Sequence, residues 1–364
     1  MTPPSRPAVG SLLLAAVSTL FTLALLEGAF RARAFLAGRK SFEAALTRGS
    51  RVTAGARASL GDLIRPSRHP DIVYELAADL RVSFLGAPLS TSQVGFRDRD
   101  YTLEKRQGSF RILGIGDSIM FGWGVGDGED YLSLVESRLE AESPGRHVEI
   151  INLAVPGYNS VMEVATLREK GLRYAPDLVI VGLCGNDASL PNFLQAPPEI
   201  LAVDRSFLAE FIRARFGEES AEDETPGLVD RPVKAGWRHT RAEDGAQVPP
   251  RYAHMVGLPA FRRAMEELKQ LSETHGFRVL LLYYPGAPGE MREIVADLGL
   301  PSLNTAPAVR RFLSAHGGGE RALPLLHRNE RDPHPSQAGH RLIADALVQY
   351  LVELHSPALQ PLPR

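Results

Sequence analysis

Four short stretches of this 364-residue chain hold residue types that together could carry out acyl transfer. Ser118 closes Gly116-Asp117-Ser118, directly after the apolar run Arg111-Ile112-Leu113-Gly114-Ile115. Far downstream, Asp332-Pro333-His334 puts a carboxylate two residues from an imidazole. Between them lie Gly157, in Pro156-Gly157-Tyr158-Asn159, and Asn186, in Gly185-Asn186-Asp187. Acyl transfer needs a nucleophile, a base for its proton, a group that orients the base, and N–H donors for the developing oxyanion. Ser118, His334 and Asp332 are candidates for the first three roles. The Asn186 amide and the unhindered Gly157 N–H are candidates for the fourth. Alone, each has a plainer reading: Ser118 as a helix cap, and the others as turn residues. Together they point to an esterase-like site, because three of the motifs follow strand candidates and so converge on one edge of a sheet. Open α/β sheets place their ligands at that edge.

The elements that must position these residues alternate. Strand candidates are Ile112–Gly116, Val148–Leu153, Leu178–Cys184 and Arg278–Tyr284. Helix candidates are Tyr131–Glu142, Ser160–Tyr174, Pro259–His275, Ala306–His316 and Gln337–Leu354. Such alternation predicts a parallel sheet with helices on both faces, a three-layer α/β/α sandwich. The connection Ala188–Leu258 breaks the rhythm with many prolines and an acidic run at Glu218–Glu224. A connection of this length reads as a functional lid, with Phe193, Leu194, Phe207, Phe211, Ile212 and Trp237 suited to walling a pocket.

The four blocks, taken in order, resemble those of the SGNH (GDSL-type) hydrolases, a resemblance covering roughly residues 72–355. It implies an SGNH/flavodoxin-like fold with Ser118 as nucleophile, His334 as general base and Asp332 completing the triad. It also implies an oxyanion hole from the Ser118 N–H, the Gly157 N–H and the Asn186 side chain. In one departure, Cys184 stands where the family's Gly-x-Asn-Asp block begins with glycine. The lead-in residues Gly95-Phe96-Arg97 and Phe110-Arg111-Ile112-Leu113 are similar to membrane-anchored bacterial members. The implied reaction is ester hydrolysis through an acyl-serine, with no metal or organic cofactor. The implied substrate is an acylated polysaccharide of the cell envelope or a lipid ester. The same residues could pass the acyl group to a sugar hydroxyl, as related O-acyltransferases do. A non-catalytic, membrane-tethered binding module is the reading from another class.

Composition and termini fit this picture. The 41 basic and 43 acidic residues nearly cancel, which argues against nucleic acid as the partner. Cys184 is the single cysteine, so no internal disulfide framework exists. Pro7–Leu26 is uncharged and, at about 1.5 Å per residue, long enough to span a bilayer. The expected organisation is an anchor at 1–30, a juxtamembrane stem at 31–71, the hydrolase domain at 72–355 with its insertion at about 188–258, and a tail at 356–364. Arg31, Arg33, Arg39 and Lys40 follow the apolar stretch, whereas only Arg6 precedes it. By the positive-inside rule they would hold the downstream side in the cytoplasm. The resemblance implies the opposite side, and long domains translocate largely regardless of flanking charge. An extracytoplasmic, periplasmic catalytic domain is the expectation. Gly114-x-Gly116 lacks the third glycine of a dinucleotide site. His340 reads as structural, Cys184 as a small buried apolar residue, and Asp187 as a partner within its turn.

Overall fold

The computed structural model describes residues 9–48, 52–142, 147–191, 194, 206–209, 212, 248–329 and 332–353. Its centre is a parallel sheet of five strands: β1 (Ser109–Ile115), β2 (His147–Asn152), β3 (Leu178–Leu183), β4 (Arg278–Tyr283) and β5 (Ser302–Asn304). They lie in the order β5-β4-β3-β1-β2, and every neighbouring pair runs parallel. Strands covered on both faces read as continuous apolar runs, and every residue of β1 and β3 is buried. The pleat then sorts neighbours to opposite faces. Ile112, Ile150, Ile180 and Leu280 join one apolar cluster; Leu113, Ile151, Val179 and Leu281 join the other. On the first face pack the helices Tyr131–Glu142 and Gln337–Glu353, and on the second Ser160–Thr166 and Leu258–His275. The architecture is a three-layer α/β/α sandwich. The buried cation in β1 is held on both sides: Arg111 Nε donates to Glu149 on β2 at 2.8 Å, and Nη1 to the Tyr174 carbonyl at 2.7 Å.

Several elements depart from the sequence expectation, among them the helix Gly319–Leu326 and the strands His327–Asn329 and Asp332–Pro335. Ser160–Tyr174 is not one α-helix: a π turn at Leu167–Gly171 and a 3-10 turn at Leu172–Tyr174 follow Thr166. Gly171 there lies so close to the sheet that a Cβ would sit 3.2 Å from Leu113 and from Leu153. The polar β5 and the helix Gly289–Asp297 were not expected. Ahead of the sandwich, Arg57–Ala58, Arg81–Phe84 and Ala87–Ser90 form a three-stranded sheet, and Ile64–Pro66 pairs antiparallel with Tyr74–Leu76. This pairing ties the end of the 31–71 stretch to the residues after it.

The N-terminal helix runs Val9–Arg48. Its segment Leu13–Arg33 has a mean hydropathy of 1.9 and is the one helix among the described residues long and apolar enough to cross a membrane. A membrane anchor and a signal sequence both fit that composition. Of the apolar residues noted in the 188–258 connection, Leu194 and Phe207 are buried and Ile212 is exposed. Phe193, Phe211, Trp237 and the acidic run lie outside the described residues.

Candidate active site

The chain reverses its direction of travel across the sheet between β1 and β3, and the crevice at their carboxyl ends is the ligand position of such sheets. Ser118 follows β1 and Asn186 follows β3. Gly116 leaves β1 where a Cβ would meet Met120 at 2.8 Å, and the chain turns into the short helix Ser118–Phe121. The cap of that helix is Asp117, whose Oδ1 accepts from the Ile119 N–H at 2.9 Å. Ser118 is therefore not spent on capping.

His334 comes from the hairpin His327–Asn329/Asp332–Pro335. Within its second strand, Asp332 and His334 share a face because strand side chains alternate. Asp332 Oδ1 accepts from His334 Nδ1 at 2.6 Å, and His334 Nε2 lies 2.8 Å from Ser118 Oγ. The other carboxylate oxygen accepts from Arg328 Nη1 at 3.0 Å and from Trp123 Nε1 at 3.3 Å. Burial works to raise the Asp332 pKa, but its hydrogen bonds to His334 and Arg328 and the His334 charge prevail and lower it to about 2. The Trp123 ring stacks on the His334 imidazole, with centroids 5.1 Å apart and planes 23° apart.

The third side of the crevice is a backbone feature. Beyond β2 the chain stays beside β1, with Leu153 N–H donating to Gly114 O at 2.8 Å and Val155 N–H to Gly116 O at 3.1 Å. This lays the Gly157 turn alongside the Ser118 turn. Gly157 has φ +79°, where glycine is at ease and other residues are strained. Among the described residues no acceptor is paired with the N–H of Ser118 or of Gly157. Asn186 Nδ2 donates one hydrogen to Asp117 Oδ2 at 3.0 Å, which leaves its second amide hydrogen for the crevice. Cys184 is more than apolar filling: its Sγ lies 3.1 Å from Asp117 Oδ2 and 2.6 Å from Asn186 Oδ1. Burial and neighbouring carboxylates push this thiol up, so it stays neutral. Asp187 closes the turn, accepting from Cys184 N–H at 2.6 Å and Ser160 Oγ at 2.9 Å. Burial, with the Asp117 charge adding to it, pushes the Asp187 carboxyl well up.

Asp332, His334 and Ser118 thus form one hydrogen-bonded series beside the Gly157 turn and the Asn186 amide, an arrangement that could support acyl transfer. Residues 115–342 match the GDSL-like Lipase/Acylhydrolase family. The chain belongs to the GDSL-like lipase/acylhydrolase family. It is accordingly an SGNH-type serine hydrolase acting on ester bonds. No curated protein matches it. Among solved structures, a two-domain esterase active on acetylated mannans is 16% identical, with a TM-score of 0.43. That likeness covers 70% of this chain and 52% of the esterase, so the chain spans about half of its length. A lipase/acylhydrolase from Enterococcus faecalis is 17% identical over 70% of this chain and 100% of its own, at a TM-score of 0.38. A catalytic mutant of an acetylxylan esterase from Geobacillus stearothermophilus is 16% identical over 70% and 99%, at 0.40.

Several residues around this GDSL-type site carry no signal in sequence reading. Asn152 ties β2 to the Ser118 helix through Nδ2 to Met120 O at 3.0 Å. Trp123 meets Asp332 from 209 residues away and Arg328 from four, and only the position of Trp123 between Gly122 and Gly124, both at positive φ, hints at a special turn. His340 is buried and stacked on Tyr131, with Nδ1 accepting from the Tyr131 N–H at 3.3 Å. Burial first, then the charges of Arg97 and His334, lower it to about 3, so it is a neutral core residue. Among the described residues no three His, Cys, Asp or Glu side chains are placed to hold a metal ion.

Proposed function

We propose that this protein hydrolyses a carboxylic ester through an acyl-Ser118 intermediate. His334 is the general base and acid, Asp332 orients it, and the Ser118 N–H, Gly157 N–H and Asn186 amide stabilise the oxyanion. The observation that carries the reading is the continuous path from Asp332 Oδ1 to His334 Nδ1 at 2.6 Å and from His334 Nε2 to Ser118 Oγ at 2.8 Å. With Nδ1–H donating to the carboxylate, the Nε2 lone pair faces Oγ. As Oγ attacks the ester carbonyl, its proton passes to Nε2, and the carbonyl oxygen gains charge against the three donors. The imidazolium then protonates the leaving alkoxide, and the C–O bond to the alcohol breaks. Water, deprotonated by His334, attacks the acyl-enzyme to release the carboxylic acid and restore Ser118. With its pKa lowered to about 2, Asp332 is ionised near neutral pH, which favours the imidazolium at each proton transfer.

The substrate we infer is an acetyl ester on a cell-envelope polysaccharide, reached from an N-terminal anchor with the catalytic domain outside the cytoplasm. The apolar segment Leu13–Arg33, whose large apolar side chains from Leu13 to Leu26 are exposed, supports the tether. In this organisation residues 1–30 are the anchor and the hydrolase domain ends near 355. A series of p-nitrophenyl esters of rising chain length tests the acyl group: a sharp preference for acetate is expected, and preference for long chains would assign the site to lipid esters. A C-terminal reporter active only in the periplasm tests the topology, with activity expected and silence placing the domain in the cytoplasm.

A further inference from the structure

Residues 57–90 precede the family-matched segment, yet they touch the site at both ends. On the oxyanion side, Tyr74 is fully buried and its hydroxyl donates to Pro156 O at 2.7 Å, one residue before Gly157. A Cβ on Gly157 would lie 3.0 Å from that hydroxyl. The bond is reciprocated: the Tyr158 hydroxyl donates to the Tyr74 carbonyl, and the two rings meet edge to face at 5.3 Å. On the acid–base side, Phe84 meets Trp123 edge-on at 4.9 Å and 87°, and Trp123 in turn stacks on His334. At the next residue, the Leu85 carbonyl accepts from Arg328 Nη2 at 3.2 Å while Nη1 of the same guanidinium holds Asp332.

The backbone at these two contacts is unusual. Val73, directly before Tyr74, has φ +62°, and Leu85 has φ +52°. Positive φ is an outlier for a β-branched residue, and such strain persists where the surroundings over-determine it, commonly at functional sites. Gly86 follows Leu85 at φ +86°, so the Phe84–Ala87 connection is a two-residue hairpin with both central residues left-handed. Asn-Gly would satisfy such a turn more cheaply. The N-terminal unit joins the Gly157 turn and the Asp332–His334 hairpin across the crevice.

We propose that the β unit at residues 57–90 is a positioning collar of the active site. Tyr74 fixes the Gly157 oxyanion turn, and the Phe84–Leu85 corner fixes Asp332 and His334 through Trp123 and Arg328. The proposal rests on the reading of Ser118, His334 and Asp332 as the triad. None of the collar residues touches the reacting atoms, so each acts through another group. Small misplacement of a donor or a base costs rate more than affinity.

The test uses the full-length protein and p-nitrophenyl acetate. Tyr74→Phe removes only the hydroxyl, and Phe84→Leu keeps an apolar side chain while losing the edge contact. Each is expected to lower kcat by about tenfold with KM within twofold, and the double variant by about the product, because the two act on separate groups. Thr91→Val is the control. Its hydroxyl donates to Ala77 O at 2.7 Å and accepts from Leu80 N–H at 2.9 Å, a comparable loss of bonds that tie down the same unit with no bond to the Gly157 turn, Trp123 or Arg328. It should lower the urea midpoint and leave kcat unchanged. Wild-type kcat in both Tyr74→Phe and Phe84→Leu overturns the proposal, as does an equal fall in Thr91→Val. An inactive Ser118→Ala alongside active collar variants separates that failure from failure of the triad reading.

Discussion

Replacing Gly157 by alanine separates a turn glycine from an oxyanion glycine, because the two roles have different costs. At φ +79° an L-residue pays about 1–2 kcal/mol in the left-handed region. The added methyl also lands 3.0 Å from the Tyr74 hydroxyl and 3.4 Å from Pro191 Cβ. Tyr74 cannot swing away, since its ring is buried and its hydroxyl is bonded to Pro156 O. The turn must therefore give by a few tenths of an ångström, carrying the Gly157 N–H with it. A total stability loss of about 1–3 kcal/mol is expected, within the ordinary range for a single substitution. Loss of a whole oxyanion donor costs roughly 10²–10³ in kcat. A displaced donor should cost about 10–10². Urea denaturation followed by tryptophan fluorescence reads the first quantity, and steady-state hydrolysis of p-nitrophenyl acetate reads the second. A variant destabilised as expected but with kcat within twofold of the parent would refute the oxyanion assignment and leave Gly157 as a turn residue only.

Ser118→Ala and His334→Ala should each remove nearly all esterase activity, and the double variant should be little worse, because residues of one proton-transfer unit are strongly non-additive; additive losses would break up the unit. Asn186→Ala should lower kcat by roughly 10²–10³ with the fold intact by circular dichroism, and an unchanged kcat would take Asn186 out of the site. Asp332 has a folded pKa of about 2, below the unfolded value near 3.9. Its contribution to stability is therefore complete above about pH 4 and lost as pH falls toward 2. The gap in urea midpoint between the parent and Asp332→Asn should be open at pH 6 and shrink by pH 2.5; a gap independent of pH would contradict the ionised pair.

The parts of the fold that were legible in sequence are those with unambiguous periodicity. β1, β3 and β4 are apolar runs covered on both faces, and the helices Tyr131–Glu142 and Leu258–His275 kept their predicted bounds to within a residue. The polar β5 paired only because β4 offered it an edge, which no local pattern announces. The π turn after Thr166 answers to close packing of Gly171 on the sheet, a tertiary cause. Asp332 and His334 stand out as a carboxylate and an imidazole two residues apart across Pro333, and Ser118 as a serine that closes Gly116-Asp117-Ser118 directly after an apolar strand pattern. Tyr74 and Arg328 carry no such mark, and Trp123 only its flanking glycines. Tyr74 meets its partner 82 residues away and Trp123 meets Asp332 209 residues away, so only the folded chain makes their roles visible. The strands Arg57–Ala58 and Ile64–Pro66 are too short to show alternation, which is why residues up to 71 read as a stem, whereas Ile72–Val82 and Ser83–Arg99 already read as short strands and turns.

Ser118 Oγ is the atom expected to be acylated. Treating the full-length protein with a fluorophosphonate and mapping the adduct by peptide mass spectrometry tests this directly. One stoichiometric adduct on Ser118 is predicted, formed in step with loss of esterase activity and strongly slowed in His334→Ala. Labelling of another residue, or full inhibition with Ser118 unmodified, would contradict it.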